Sequence, residues 1–337
     1  MNLTATKMKA FVLHAYGSPD ALELRQVDRP SPGPGEVLVR VRATSVQPWD
    51  WHYMRGEPYI ARLMPGGPAL RGPAISILGA DVAGEVAEAG PGVTEFGPGD
   101  LVYGMPPNGG GFGEYACVPV SELAPKPASL SFEEAAAVPL AAGTALLAVR
   151  DRGRVGPGQR VLVNGASGGV GTFAVQLAKA YGAHVTGVCS TGNVDLVRSL
   201  GADEVIDYRE QDFVRDGGEP YDVIVYNAGR RSFGECRKVL TRKGVCVMVG
   251  GAAGRWVQPA GIVFTAVLRS LFTSQKAVVA EVVGSKETRR NLLELSALIE
   301  AGRVRPVIDR VYPFEELPAA VRYQEEGHAP GKVVVTL

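Results

Sequence analysis

The chain is poor in cysteine. Its four cysteines, Cys117, Cys189, Cys236 and Cys246, are scattered through 337 residues with no Cys-x-x-Cys pair. That spacing argues against a structural zinc site and against a disulfide framework, and leaves buried free thiols. No apolar stretch reaches transmembrane length, and Met1 to Lys9 lack a hydrophobic signal core. A soluble, cytoplasmic protein with no membrane partner is expected. The formal net charge is zero and no long basic run occurs, so no nucleic-acid partner is expected either, because phosphate binding needs a concentrated positive face. Internal repeats and low-complexity tracts are absent too. What remains is 46% hydrophobic and 21% charged, a composition that buries large cores. The length favours two domains over one.

The first third reads as a compact β domain. Short Val-rich segments at Lys9–Leu13, Glu36–Ala43, Asp81–Ala89, Leu101–Tyr103 and Glu114–Pro119 are separated by Gly and Pro. Gly35 to Arg42 alternates apolar and polar residues, as a half-buried strand does. At Ser131 the period changes. Ser131 and Glu134 form a capping-box pair, and an Ala-rich helical tract follows from Ala135 to Arg150. From Arg160, strands alternate with helices. The strands expected are Arg160–Asn164, His184–Cys189, Glu204–Asp207, Asp222–Tyr226 and Val245–Val249, with Gln275–Val283 as a sixth. The helices expected are Gly169–Tyr181, Val194–Leu200, Gly234–Leu240 and Thr288–Ala301. Such alternation predicts a doubly wound parallel sheet. Residues 307–337 return to strand character and are expected to rejoin the first domain.

One stretch carries the most chemistry. Val161-Leu-Val-Asn-Gly-Ala-Ser-Gly-Gly-Val-Gly171 is an apolar run that stops at a glycine cluster, and an amphipathic helical pattern starts at once. Strand, tight turn and helix N-terminus in that order suit a dinucleotide pyrophosphate: backbone N–H groups face the anion and glycines let the backbone approach it. Gly165, Ser167, Gly168, Gly169, Val170 and Gly171 are the candidate contacts. Asn227 follows the fourth strand of the alternating region, and Gly250 and Gly251 follow the fifth, at the carboxyl edge where ligands bind in open α/β folds.

Several segments together resemble the medium-chain dehydrogenase/reductase superfamily, in its zinc-free quinone oxidoreductase-like branch. They are Ala43-Thr-Ser-Val-Gln-Pro-Trp-Asp-Trp-His52, Leu78-Gly-Ala-Asp-Val-Ala-Gly-Glu85, Ala141-Ala-Gly-Thr-Ala145, the glycine turn, Leu200-Gly-Ala-Asp-Glu-Val-Ile-Asp-Tyr208 and Gly331-Lys-Val-Val. The similarity runs from Met8 to Leu337. It implies an α/β chain with a discontinuous GroES-like catalytic domain (1–129 and 285–337) and a Rossmann NAD(P)-binding domain (130–284), the active site lying between them.

The resemblance also says what is missing. Zinc-dependent relatives place a Cys, a Gly-His-Glu and a later Cys or Asp around one Zn²⁺, with thiolate and imidazole among the ligands. Here Gln47 occupies the Cys position, and the Gly-His-Glu position reads Gly79-Ala80-Asp81. No metal site is expected. Without a Lewis acid, reducing a quinone or an activated C=C is easier than oxidising an alcohol, because a conjugated carbonyl already spreads the developing charge.

For the cofactor, NAD-selective sites usually end their second strand in Asp or Glu. Here Ser190 and Thr191 stand there, which favours NADPH over NADH, although Gly192 replaces the basic residue that relatives often carry. Tyr208 matches a tyrosine near the adenosine phosphate, the alternative being a surface tyrosine. Thr144 matches a residue near the nicotinamide, or else bonds the preceding helical turn. Lys332 matches a basic residue that approaches the cofactor, or is an exposed charge beside a terminal strand. Gln47 and Tyr53 are the expected catalytic donors, and Trp51 is expected in the substrate cleft. Trp49, Trp51 and Tyr53 either stack a flat substrate or pack a barrel wall.

The function expected is hydride transfer from NADPH to a quinone or other conjugated carbonyl. The alternatives are a 2-alkenal or enoyl reductase, and an NADPH-binding sensor with little turnover. An uncovered edge strand at Gln275–Val283 predicts a homodimer by sheet extension.

Overall fold

The computed structural model describes residues 6–63, 68–70, 72–216, 218–250, 260–280 and 287–337. The chain divides into two compact units. One comprises Met1–Leu140, Val283–Glu300 and Pro306–Leu337; the other comprises Ala141–Val282 and Ala301–Arg305. The first unit therefore runs past the change of period near residue 130 and includes the capped turn at Ser131. A part-buried hydrogen bond ties that tract down: Leu140 N donates to the Asp81 carboxylate (2.9 Å).

The first unit is built from β1 (Lys7–Leu13), β2 (Leu22–Asp28), β3 (Glu36–Val46), β4 (Val82–Ala89), β5 (Leu101–Gly104), β6 (Tyr115–Pro119), β7 (Leu123–Pro125) and two later strands. β1 and β2 form an antiparallel ribbon. β3 is the spine of the larger sheet, since β4, β6 and a C-terminal strand all pair with it. Because it is paired along so much of its length, Val37, Leu38 and Val39 are all buried, whereas the alternation at 35–42 predicts burial on one face only. Val37, Val39, Val41, Val82, Val86, Phe96, Val102 and Leu123 form one core cluster. Fully burying a side chain of this size contributes about 1.5–3 kcal/mol.

The second unit holds β8 (Arg160–Asn164), β9 (His184–Cys189), β10 (Glu204–Asp207), β11 (Tyr221–Tyr226), β12 (Leu240–Met248) and β13 (Lys276–Val279). These form a six-stranded sheet in the order β10-β9-β8-β11-β12-β13, and every pair is parallel. Strand order reverses between β8 and β11, so their carboxyl ends flank the ligand crevice of this topology. The chain closes in the first unit with β14 (Ile308–Pro313) and β15 (Lys332–Thr336), a parallel pair that completes the seven-stranded sheet.

Several elements depart from expectation or are not marked in the sequence. The Ala-rich tract is two helices, Phe132–Ala136 and Pro139–Leu146, followed by a π turn at Leu147–Arg152. Pro139 has no N–H and cannot sit inside a continuous helix. Within 307–337, Leu317–Glu325 is a helix, with proline in its first turn as helix starts allow. Ala260–Ser270 is also helical despite its β-branched content. Finally, Pro48–Arg55 is a helix that the strand and helix assignments from sequence do not include. β13 covers Lys276–Val279 of the expected 275–283, and residues 281–283 lie outside the described residues. Three cysteines are buried, but Cys117 is only partly so.

Candidate active site

In the second unit the glycine turn leaves β8 and enters the helix Gly169–Ala180 with Gly168 as its N-cap. Gly165 adopts φ +77°, a conformation that costs glycine nothing. Its N–H and that of Ala166 both donate to Val188 O (3.1 and 2.9 Å), which pins the turn to β9. A Cβ on Gly171 would lie 2.0 Å from Gly165 O, so only glycine lets the helix start this close to the turn. First-turn N–H groups of a helix have no partner within it, and here they belong to Gly169, Val170 and Gly171.

Around this turn the polar groups form a net. Asn193 Nδ2 donates to Ser167 Oγ (3.1 Å) and to Ser190 Oγ (3.2 Å), linking the phosphate turn to the end of β9. Asn193 was not among the residues singled out from sequence. Across the crevice, Asn227 Nδ2 donates to Asn164 O (3.1 Å), while Asn227 Oδ1 is buried with no hydrogen-bond partner among the described residues. That orphaned acceptor, the glycine cradle and the free first-turn N–H groups fit a dinucleotide, which brings hydroxyl donors and a pyrophosphate. Gly250 packs where a Cβ would come 2.7 Å from Asn227 O; Gly251 lies outside the described residues. Thr144 is buried within the helix Pro139–Leu146.

The ribose end of the site needs a correction. The absence of an acid from β9 leaves no carboxylate in sequence, but the parallel register sets Asp207 of β10 beside Cys189 of β9. The Thr191 hydroxyl hydrogen-bonds this carboxylate and, with the Arg209 amide, holds it below the usual carboxylate range. Thr191 is therefore already engaged. Tyr208, next along, is 57% exposed.

In the first unit the expected catalytic residues lead to a different kind of centre. Gln47 ends β3 and precedes Pro48 at the start of the helix Pro48–Arg55. Asp50 Oδ2 accepts from Gln47 N (2.7 Å), and Asp50 Oδ1 accepts from Gly79 N (3.0 Å). The Gln47 amide nitrogen donates to the Asp81 carboxylate and to Ser45 Oγ (3.1 Å). Asp81 also accepts from Ser45 Oγ (2.5 Å) and from Leu140 N (2.9 Å). Lys332 opens β15. Its strand pairs Val333 with Val46, so the register brings Lys332 next to Gln47. Lys332 is 3% exposed, which excludes the exposed charge, one of its two expected placements.

Burial dominates the electrostatics. It pushes the Asp50 carboxyl up to about 7, and the neighbouring Asp81 adds to the rise. Burial raises Asp81 as well, opposed chiefly by Lys332. It pulls the Lys332 ammonium down to about 8, against the attraction of Asp81 and Asp50. A buried ammonium in the middle of this donor set repels a second cation. With an amide turned away and two carboxylates occupied by N–H and O–H donors, the residues do not fit a zinc ion. Among the described residues no group of three or more His, Cys, Asp or Glu could hold a metal.

Gln47 therefore has no free amide donor for a substrate, a correction to the role expected of it. The aromatic residues resolve toward packing. Trp49 stacks on Tyr53 (4.2 Å between centroids) and Trp51 on His52 (3.7 Å), and all three of Trp49, Trp51 and Tyr53 pack against the core cluster of Phe11, Met54 and Phe314. The signal for the Asp50 contacts was present in sequence: a proline at the first helical position, with an acid three residues after the cap.

Known proteins share this architecture. The Alcohol dehydrogenase GroES-like domain family matches residues 33–128, and the Zinc-binding dehydrogenase family matches residues 200–335. The mouse (Mus musculus) protein named "NAD(P)H oxidoreductase RTN4IP1, mitochondrial" is 37% identical over 99% of this chain and 90% of its own length. The tomato (Solanum lycopersicum) "2-methylene-furan-3-one reductase" is 34% identical over 98% of this chain and 79% of its own. A solved quinone oxidoreductase from Coxiella burnetii superposes with a TM-score of 0.85 at 28% identity, covering 98% of this chain and all of that one. The chain belongs to the medium-chain dehydrogenase/reductase superfamily, in its quinone oxidoreductase-like branch, and is an NAD(P)H-dependent oxidoreductase of the quinone oxidoreductase and enone reductase kind.

Proposed function

We propose that this protein is an NADPH-dependent, zinc-independent reductase of quinones and other conjugated carbonyl compounds. The observation that carries the reading is the buried set Gln47, Asp50, Asp81 and Lys332, which stands where relatives would hold a metal and carries its own positive charge. The bound cofactor supplies hydride. The chain's residues do the rest. First-turn N–H groups at Gly169, Val170 and Gly171 bind the pyrophosphate. Ser167, Ser190 and Asn193 present hydroxyl and amide groups at the adenosine end, and Tyr208 and Arg209 flank them. Asn227 Oδ1 accepts from a ribose hydroxyl. Asp207 opposes a 2′-phosphate, so the preference for NADPH over NADH is modest, about tenfold or less, as expected where no cation is dedicated to the phosphate.

A C=C reductase acting on 2-alkenals or other enones is the second reading, supported by the likeness to the tomato enzyme. Steady-state NADPH oxidation with a panel of quinones and enones separates the two by their kcat/KM ratio. Cofactor binding without reduction of any acceptor would leave a binding protein instead.

The active form we propose is a homodimer. Among the described residues β13 is the last strand of its sheet, paired on one side only. Beside it Phe264, Leu268, Leu271 and Phe272 are 69%, 47%, 66% and 83% exposed. An apolar ridge next to an open strand edge suits sheet extension by a second copy. Light scattering at micromolar concentration tests it: a dimer is expected, and Phe272→Glu shifts it toward monomer.

A further inference from the structure

A small cavity of about 90 Å³ opens within the second unit, between the capped turn at Ser232 and the helix Ala260–Ser270. Arg230, Ser232, Phe233, Thr265, Ala266 and Arg269 line it. Thr265 and Arg269 share a helix face through their spacing of four. That face is turned about 100° from the exposed Phe264 and Leu268. A Cβ on Gly234 would stand 3.9 Å from Arg269 Nη1 and 3.7 Å from Ser232 Oγ, so the Arg269 guanidinium reaches across to the capped turn. The hydroxyls of the cavity are engaged elsewhere. Ser232 Oγ donates to Glu235 Oε2 (2.9 Å) and accepts from Glu235 N (3.3 Å), and Thr265 Oγ donates to Gly261 O (2.9 Å). Arg231 is engaged too, with Asp212 (2.7 Å) and Glu235 (3.2 Å). Arg230 and Arg269 differ from it: among the described residues neither guanidinium makes an ion pair or a hydrogen bond.

Two unpaired cations beside an apolar wall of Phe233 and Ala266 select the ligand by charge. Each guanidinium presents a planar fork of N–H donors and keeps its proton. A carboxylate balances one such charge. A phosphoryl dianion balances both, and its oxygens match two forks. The volume suits one such group and lies well below the roughly 300–1,000 Å³ of a small-molecule pocket. The Glu235 carboxylate opposes an anion here, but its oxygens are held by Ser232 and Arg231. The cavity is also apart from the adenosine end of the crevice, since its helices follow β11 and β12, on the other side of β8 from β9 and β10. We propose that Arg230 and Arg269 form a phosphoryl-binding site, which takes a dianionic phosphate either free or at the end of a small organic molecule. The site goes beyond hydride transfer and does not depend on the identity of the electron acceptor.

The test is isothermal titration of the full chain with inorganic phosphate in low-salt buffer. Four samples are compared: wild type, wild type saturated with NADP⁺, Arg269→Gln, and the double variant Arg230→Gln/Arg269→Gln. Both arginines are exposed, so the variants should fold, which circular dichroism checks. Arg269→Gln should weaken phosphate binding by about tenfold, the loss of one charge-assisted hydrogen bond. The double variant should show no binding, and NADP⁺ should leave binding unchanged. Phosphate binding that survives in the double variant, or that NADP⁺ displaces, overturns the proposal, as does an absence of binding by the wild type at millimolar phosphate. Phenyl phosphate and acetate complete the comparison. Phenyl phosphate bound more tightly than phosphate upholds the site as one for an organic phosphoryl ester that uses Phe233; phosphate bound as tightly or more so upholds it as one for the free ion. Acetate bound as tightly as phosphate overturns the match to a dianion. The double variant keeps the glycine turn, so loss of this proposal leaves the NADPH reading standing. A chain that binds no NADP⁺ but loses phosphate with its two arginines upholds the site alone.

Discussion

The candidate residues of the two units handle charge in opposite ways. In the Rossmann unit the pyrophosphate receptor is neutral: backbone N–H groups, hydroxyls and the amides of Asn193 and Asn227 surround the turn, and the one carboxylate, Asp207, lies at the ribose end. In the GroES-like unit two carboxylates and an ammonium are buried together. A neutral receptor costs little to fold and loses mainly its ligand when altered. A buried ionic centre is held by mutual compensation, so removing one partner strands the others. Function in the first half should thus be separable from stability, and in the second half entangled with it.

Substitutions can break or sharpen that contrast. Gly171→Val should abolish cofactor binding, by about 100-fold or more, since a Cβ there has 2.0 Å to Gly165 O and the anion cradle must deform. Cofactor titration by fluorescence measures it, and the GroES-like unit should stay folded by circular dichroism. Asp81→Leu should cost about 3–5 kcal/mol of stability, the range for one partner removed from a buried charge set, read as a lowered urea midpoint. Little change there would mean the two halves do not differ as argued.

The pH dependence follows from the same burial. The folded Asp50 carboxyl titrates near 7, far above its unfolded value, so the folded chain holds a proton that the unfolded chain has lost. The Asp50 contribution to stability is therefore full in acid and is lost as pH rises through about 7. Lys332 has the reverse sign. Its folded value lies near 8, below its unfolded value, so stability rises as pH climbs from about 8 toward the unfolded lysine value. Asp50→Asn should flatten the lower limb alone in denaturation curves taken across pH. Smaller effects are expected in the Rossmann unit. Asn227→Ala should weaken NADP(H) binding by about 5–10-fold, one hydrogen bond's worth. Asp207→Asn should raise the NADPH-to-NADH ratio of kcat/KM by about 3–5-fold, by removing one opposing charge.

The halves also differ in how readily they are read from sequence. The glycine turn is contiguous, and each glycine has a local reason, so residues 165–171 show their purpose in one line of text. Asp207 approaches Thr191 only through the parallel register of β9 and β10. The buried ionic centre is further out of reach, since Gln47, Asp81, Leu140 and Lys332 meet only when β3, β15 and the helix beginning at Pro139 have folded together. Lys332 could be matched to a relative's basic residue, but that match carries no information on burial. The helix at Pro48–Arg55 was hidden by the aromatic cluster, whose side chains suggest a pocket until their stacking partners are known.

The central claim is that fixed side-chain charge, rather than a bound metal, supports hydride transfer here. The most direct measurement is NADPH-dependent quinone reduction by enzyme dialysed against a strong chelator, with zinc content determined on the same sample. The account predicts substoichiometric zinc and an unchanged kcat/KM. Activity that vanishes on chelation and returns with one zinc per chain would contradict it.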